Sequence, residues 1–340
     1  MVKDDELVTL RDVADAAGVS VPTASRALSG RGDLSRSTRE RVVAAAEELG
    51  YDRSLVNRGR PTTLDPRLIE FVLGSFDDAW TDAMTTGARE AAFRLGFDLV
   101  LTLERPDPSD DWPTRVATRR PSGVVIGIIR PTTRQLDEIR GLRIPIVLLE
   151  PRSDPEGALA SVGTTDWQGG HDAGTLLAAS AAARFVVVTG VPRYRFGRAR
   201  EEGFRAAIAE HRPEAEVLRV DSEWTDAPLT EGLVAAIRTA PTPVGVFACN
   251  DEMAFAVYRA AARIGLKIPD DVSVVGFNDE PRAARADPPL TSVRQPLRAM
   301  AARAVELVTR LRHHDDQRHE RVELPSELIV RASTLPTSDF

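Results

Sequence analysis

The sequence predicts an all-α helix-turn-helix headpiece followed by a larger α/β core of open parallel sheets. Residues 9–50 carry three short, capped helical patterns, and 51–66 form a polar stretch containing Gly59 and Pro61. From Leu68 onward, near-continuous runs of Val, Ile, Leu and Phe alternate with longer amphipathic segments. Apolar runs without polar alternation suit a parallel sheet covered on both faces. Repeated strand–helix alternation builds open α/β folds.

In the head, Thr9 can cap a helix whose apolar positions Val13, Ala14 and Ala17 keep helical spacing, with Gly18 as its stop. Ser20 can cap a second helix running to Leu28, with Pro22 in the first turn, where a missing N–H is tolerated. Ser35 starts a third, with Val42, Val43, Ala46 and Leu49 inward and Gly50 at its end. Residues 51–66 read as a linker with at most one helical turn.

Strands are expected at Ile69–Gly74, Asp98–Leu103, Gly123–Ile129, Ile144–Leu149, Phe185–Thr189, Val244–Cys249 and Val272–Phe277. Helices are expected near 82–95, 132–140, 169–182, 199–211, 229–239, 250–264 and 297–312. So many strand–helix units exceed one small sheet. Two α/β subdomains with a cleft between them, or one barrel, would accommodate them.

Composition narrows the class. The 340 residues are 42% hydrophobic and 28% charged, enough to build sizeable cores. A single cysteine, Cys249, excludes a disulfide framework and cysteine-based metal sites, and reads as a small buried hydrophobe. The acidic start and the lack of a long apolar run point to a cytoplasmic chain with no signal peptide and no membrane partner. The net charge of -7 is unevenly spread: residues 1–63 hold ten basic and ten acidic side chains, so 64–340 carry the whole deficit. Between Ser20 and Arg60 eight basic residues face five acidic ones, a weak hint of a DNA-facing module. His313, His314, Asp315, Asp316 and His319 have ligand chemistry but read as a solvated polar loop, so no metal or other cofactor is expected. No phosphate loop, nucleophile elbow or acid–base pair stands out, which argues against an enzyme.

Two short helices joined by a tight glycine turn form the helix-turn-helix, whose second helix enters the major groove. The run from Val8 to Gly30 (VTLRDVADAAGVSVPTASRALSG), with Leu34–Val42 and Ala45–Tyr51, resembles the headpiece of lac-repressor-type (LacI–GalR family) bacterial transcription regulators. Val21, Pro22 and Arg26 lie where base edges can be reached, and the resemblance makes them the base-reading positions. Arg26 can bind guanine bidentately, whereas Val21 and Pro22 offer apolar contact to thymine methyls. Thr9, Ser20, Thr23, Ser25 and Arg31 suit phosphate oxygens, which set register without reading sequence. The linker matches the family's hinge helix over Ser54–Arg58, with Asn57 and Arg58 in it. Arg60 stands where the family places a minor-groove leucine, and Gly59 and Pro61 flank it. Either Arg60 enters a narrow minor groove or the linker stays largely unfolded.

The remainder resembles the family's effector core, with the fold of periplasmic sugar-binding proteins: two subdomains, three crossovers and a ligand in the cleft. The matching segments include Gly123–Ile126, Ile144–Leu149, Arg198–Phe204, Ala248–Ala254, Val274–Asp279 and Pro288–Val293. This implies a headpiece at 1–51, a hinge at 52–66 and a core at 67–340. The core divides into an N-subdomain (about 67–163 and 291–325) and a C-subdomain (about 164–290 and 326–336). Open α/β sheets bind ligands beyond the carboxyl ends of their strands. Asp77, Trp80, Glu150, Trp167, Arg200, Trp224, Asn250 and Asn278 fall there and form the expected effector site. Asn278 replaces an aspartate of the sugar-binding relatives, while Trp80, Trp167 and Trp224 offer flat faces to a saccharide ring. Asp166–Gly170 is similar to the oligosaccharide-responsive members.

The expected partners are therefore double-stranded operator DNA, a small-molecule effector of saccharide type, and a second copy of the chain in a homodimer. The expected function is a ligand-responsive regulator, a repressor in its simplest form, and not an enzyme. The competing reading is a sugar-binding sensor with weak or absent operator binding. The sign of control is not readable from the residues.

Overall fold

The computed structural model describes residues 8–28, 34–51, 66–105, 107, 111–152, 159–238, 243–312 and 320–335. The chain separates into two compact units, 1–65 and 66–340.

The first unit holds α1 (Leu10–Ala16), α2 (Val21–Leu28) and α3 (Arg36–Glu48). Thr9 closes a capping box on α1: its hydroxyl accepts from the Asp12 N–H at 3.3 Å, and the Asp12 carboxylate accepts from the Thr9 N–H at 2.6 Å. Those hydrogen bonds hold the Asp12 carboxyl below its ordinary range. Gly18 turns the chain into α2 with φ 63, a conformation that glycine adopts without steric cost. Ser35 caps α3 by accepting from the Thr38 N–H at 3.2 Å. Val13, Ala14, Ala24, Ala27, Val42, Ala45 and Ala46 form a small core whose alanines let three short helices approach closely.

The second unit begins with β1 (Leu68–Leu73), α4 (Ala79–Arg94), β2 (Asp98–Leu103), α5 (Trp112–Arg119), β3 (Gly123–Gly127), α6 (Thr133–Gly141), β4 (Ile146–Leu149) and β5 (Ala160–Thr164). It continues with α7 (Asp166–Ala178), β6 (Arg184–Val191), α8 (Arg195–His211), β7 (Val217–Glu223), α9 (Glu231–Arg238), β8 (Val244–Ala248), α10 (Asp251–Arg263) and β9 (Val272–Asn278). It closes with β10 (Thr291–Arg294), α11 (Leu297–Leu311), β11 (Arg321–Leu324) and β12 (Glu327–Ile329).

These strands make two open six-stranded sheets, ordered β11-β5-β4-β3-β1-β2 and β12-β10-β9-β8-β6-β7, so the barrel alternative does not hold. Every pairing is parallel except β10 with β12. The chain passes between the sheets at 164–166, 294–297 and 324–327, the three crossovers expected. One boundary differs from expectation. Residues 291–294 pair with β9 in the second sheet, so the return to the first subdomain begins only after Arg294. The physical reason is that Thr291 and Ser292 are fully buried by that pairing and by Ser333, whose hydroxyl accepts from the Thr291 N–H at 2.8 Å.

The expected strands and helices all appear, with ends shifted by a few residues. Six further elements, α5, β5, β7, β10, β11 and β12, are present beyond those expected from the sequence. Among the described residues, no helix is long and apolar enough to cross a membrane.

Candidate functional site

The exposed face of α2 is the candidate nucleic-acid surface. Ala24 and Ala27 turn inward, one helical turn apart, which leaves Val21, Pro22, Ser25 and Arg26 exposed on the other side. Val21, a large apolar side chain, is 37% exposed. The Arg26 Nε donates to the Pro22 carbonyl at 3.3 Å, laying the guanidinium along this face. The Ser20 hydroxyl accepts from the Thr23 N–H at 3.4 Å and shares a 2.8 Å hydrogen bond with the Thr23 hydroxyl. Thr9 likewise donates its hydroxyl proton to Asp12, at 2.6 Å. These hydroxyls therefore shape the helix starts as well as lying exposed or half-buried beside them. Arg31 and the hinge residues Ser54, Asn57, Arg58 and Arg60 lie outside the described residues, as do His313, His314, Asp315, Asp316 and His319.

A second candidate site lies within the core. In both sheets the strand order reverses direction around one strand pair, β1/β3 in the first and β6/β8 in the second. Ligands bind at the carboxyl ends of strands beside such switch points. A cavity of about 330 Å³ sits there, lined from the first sheet by Gly74, Ser75, Trp80, Glu104 and Glu150, and from the second by Arg200, Trp224, Asn250 and Asn278. The two walls thus belong to different subdomains.

Arg200 anchors the floor. It is 3% exposed, its Nε donates to Asp166 at 2.8 Å, and its Nη1 donates to the Cys249 carbonyl at 2.7 Å. The guanidinium lies 3.6 Å from the Phe277 ring centre and 5.1 Å from that of Phe196. It stands in the second turn of α8, which starts at Arg195, four residues before the expected start near 199. Glu150, 3% exposed, hydrogen-bonds with Asp166 across the first crossover. Burial, and then the adjacent Asp166 carboxylate, hold Glu150 well above the ordinary carboxyl range. Glu150, Asp166 and Arg200 thus form one buried polar unit joining the two subdomains. Cys249 beside it is fully buried, and burial pushes its thiol up to about 12.

The aromatic wall is built by Trp224, Tyr194 and Phe196. Trp224 stacks on Tyr194 with ring centres 5.7 Å apart and meets Phe196 edge-on at 4.9 Å. Its indole N–H donates to the Pro192 carbonyl at 2.8 Å, which fixes the ring plane. Gly190 and Gly197 lie directly beneath the indole; a Cβ on Gly197 would stand 2.5 Å from Trp224 Cη2. From the opposite wall Trp80 donates its indole N–H to Gln295 at 3.3 Å.

Two expected effector residues stand outside the cavity, and a third lines it with its amide already hydrogen-bonded. Trp167 is 44% exposed and stacks on His171 outside the cavity, because Asp166 takes the inward position and the next helical residue turns about 100° away. Asp77 is exposed and does not line the cavity; its neighbour Asp78, the N-cap of α4, does. Asn250 lines the cavity, but its amide donates to the Trp224 carbonyl at 2.8 Å and accepts from the Met253 N–H at 2.9 Å. These hydrogen bonds cap α10 and hold Trp224. Asn278, half-buried with φ 108 at the end of β9, does face the cavity.

The sequence reading missed Glu104, Arg152, Tyr194, Phe196 and Glu280. Glu104 follows β2 and Glu280 follows β9, and burial raises both carboxyls above their ordinary range. Both stand just beyond strand ends, the same signal that identified Asn278.

Residues 9–54 match the model of bacterial regulatory proteins of the lacI family, and residues 175–334 match that of the periplasmic binding protein-like domain. The HTH-type transcriptional regulator DegA of Bacillus subtilis (strain 168) is 30% identical over 337 residues, 96% of this chain and 98% of its own. The chain belongs to the lacI family of bacterial regulatory proteins. Among solved structures, the complex of the transcriptional regulator CelR with cellobiose is similar, with 28% identity, a TM-score of 0.69 and coverage of 96% of this chain and 99% of that one. The lac repressor dimer bound to operator and the anti-inducer ONPF shares the fold, with TM-score 0.70, 23% identity and coverage of 97% and 100%. The curated relatives of this lacI-family chain are transcriptional regulators and not enzymes.

Proposed function

We propose that this lacI-family regulator is a repressor that binds a pseudo-palindromic operator as a homodimer and releases it in response to a saccharide bound between the subdomains. The observation that carries this reading is the cavity itself, whose two walls come from different sheets joined by three crossovers. A ligand touching both walls favours one relative pose of the subdomains, by no more than its differential affinity for the two poses. Stacked aromatics beside Asn278, Glu104 and Glu280 suit a polyhydroxylated ring. The relative solved with cellobiose supports a glucoside-type effector. On the DNA side, Val21, Pro22 and Arg26 read bases, while Thr9, Ser20, Thr23, Ser25 and Arg31 meet phosphates. Two-fold operators are the counterpart of dimeric readers of this motif.

The test is a footprint of the full chain on its own upstream DNA at physiological salt, with and without mono- and oligosaccharides. Protection of two related half-sites, relieved by one saccharide, is the expected result. Saccharide binding with no footprint would leave a sensor without operator binding and overturn the proposal.

A further inference from the structure

The core carries one concave surface whose charge opposes its average. Residues 64–340 hold the whole net charge of -7, yet a groove of about 570 Å³ contains four arginines and no acidic residue in its lining. Arg120, Arg140, Arg143 and Arg312 surround it, with Pro66 at its rim. It lies at the amino ends of β1, β3 and β4, the end of the first sheet opposite the effector cavity.

Three helix ends converge here. Arg120 is the C-cap of α5, Arg143 follows α6, and Arg312 is the C-cap of α11. Helix C-termini attract cations, so each arginine by itself could serve only its own helix. Their convergence in one groove adds something that capping does not require. Arg140 is paired with Asp137 at 3.3 Å, and Arg312 lies over the Phe97 ring. Arg119, beside Arg120, is committed to the buried Glu70. Exposed Arg120 and Arg143 form no ion pair among the described residues. Both adopt positive φ, 49 and 55, which costs backbone energy in a non-glycine residue.

Position selects the ligand. Pro66 lines the groove and begins the core unit, so the linker that carries the headpiece joins the core at this surface. We infer that the groove formed by Arg120 and Arg143 binds the phosphodiester backbone of DNA. This inference rests on the proposed operator binding.

The experiment measures operator affinity of the full chain against salt concentration, on DNA extending well beyond the half-sites. Each phosphate contact contributes about 0.9 to the slope of log Kd against log salt. Loss of two contacts in Arg120→Glu/Arg143→Glu should flatten the slope by about 1.8, on operator and unrelated DNA alike. Arg120→Lys/Arg143→Lys should retain the wild-type slope, which a helix-capping role alone would not link to salt. Identical slopes for wild type and the charge reversal would overturn the inference while leaving operator binding in place. An unchanged slope with a thermal shift by inorganic phosphate, lost in the reversal, would overturn it in favour of a small-anion site. No DNA binding by the wild-type chain would overturn both this inference and the proposed function.

Discussion

Arg200 illustrates how one side chain can serve both packing and recognition. It lines the cavity, yet its charge is already balanced by Asp166 and its plane is covered by Phe277. Arg200→Ala would leave Asp166 buried and unpaired, so denaturant unfolding should show a loss of about 3–5 kcal/mol along with the loss of saccharide response. A variant of unchanged stability would remove the buried pair from this account. Arg26→Ala has the opposite profile: the residue is exposed, stability should hold, and operator affinity should fall by about 1–3 kcal/mol with relaxed preference at one base per half-site. Equal weakening on all sequences would make Arg26 a phosphate contact. Asp251 provides a pH signature. It is fully buried, and burial pushes its carboxyl from 3.8 up to about 8, against the Ser292 hydroxyl and the Glu280 N–H that donate to it. The folded state thus keeps a proton that the unfolded chain releases, and stability should fall as pH rises from about 4 to 8. Asp251→Asn should flatten that part of the stability–pH curve; an unaltered slope would assign it to other groups.

At the scale of elements, close approaches govern the site. Gly203 of α8 packs against the Trp167 carbonyl, and Gly170 of α7 against the Arg200 carbonyl, so the helices carrying Asp166 and Arg200 touch backbone to backbone. Gly203→Ala forces them apart and should destabilise the core by about 1–3 kcal/mol, seen in thermal or denaturant unfolding. Gly190→Ala would instead displace the Trp224 indole. Saccharide titration should then show a loss of about 0.5–1.5 kcal/mol, up to roughly tenfold in affinity, with operator binding unchanged. Unchanged titration would take Trp224 out of the site. Elements were unequally legible for a physical reason. Strands such as Val244–Ala248 are buried on both faces and spell themselves as apolar runs. Edge strand β7, Val217–Glu223, has alternating polar residues half in solvent and lacks that signature, as does the exposed β11. The α5 helix hides because Trp112, Pro113 and Val116 are the only buried positions of its eight residues.

For the whole molecule, the proposed dimer should elute in gel filtration with light scattering at twice the 37.0 kDa chain mass. A monomer that still protects two half-sites would contradict the dimeric reading. What the sequence by itself determined is everything that local chemistry writes down: the capped headpiece helices, the glycine turn at Gly18, the buried strands and the family resemblance. It also placed Arg200, Trp224 and Asn278 beside the cavity, since strand carboxyl ends can be counted along the chain. Only the tertiary structure decided which neighbour points inward, Asp78 over Asp77 and Asp166 over Trp167, because that depends on helix phase against a packed sheet. It also decided that Asn250 caps a helix and that Arg120 and Arg143, remote from Pro66 in sequence, share its groove. Such juxtapositions arise from the winding of the sheet, which brings distant segments together through contacts that no local pattern encodes.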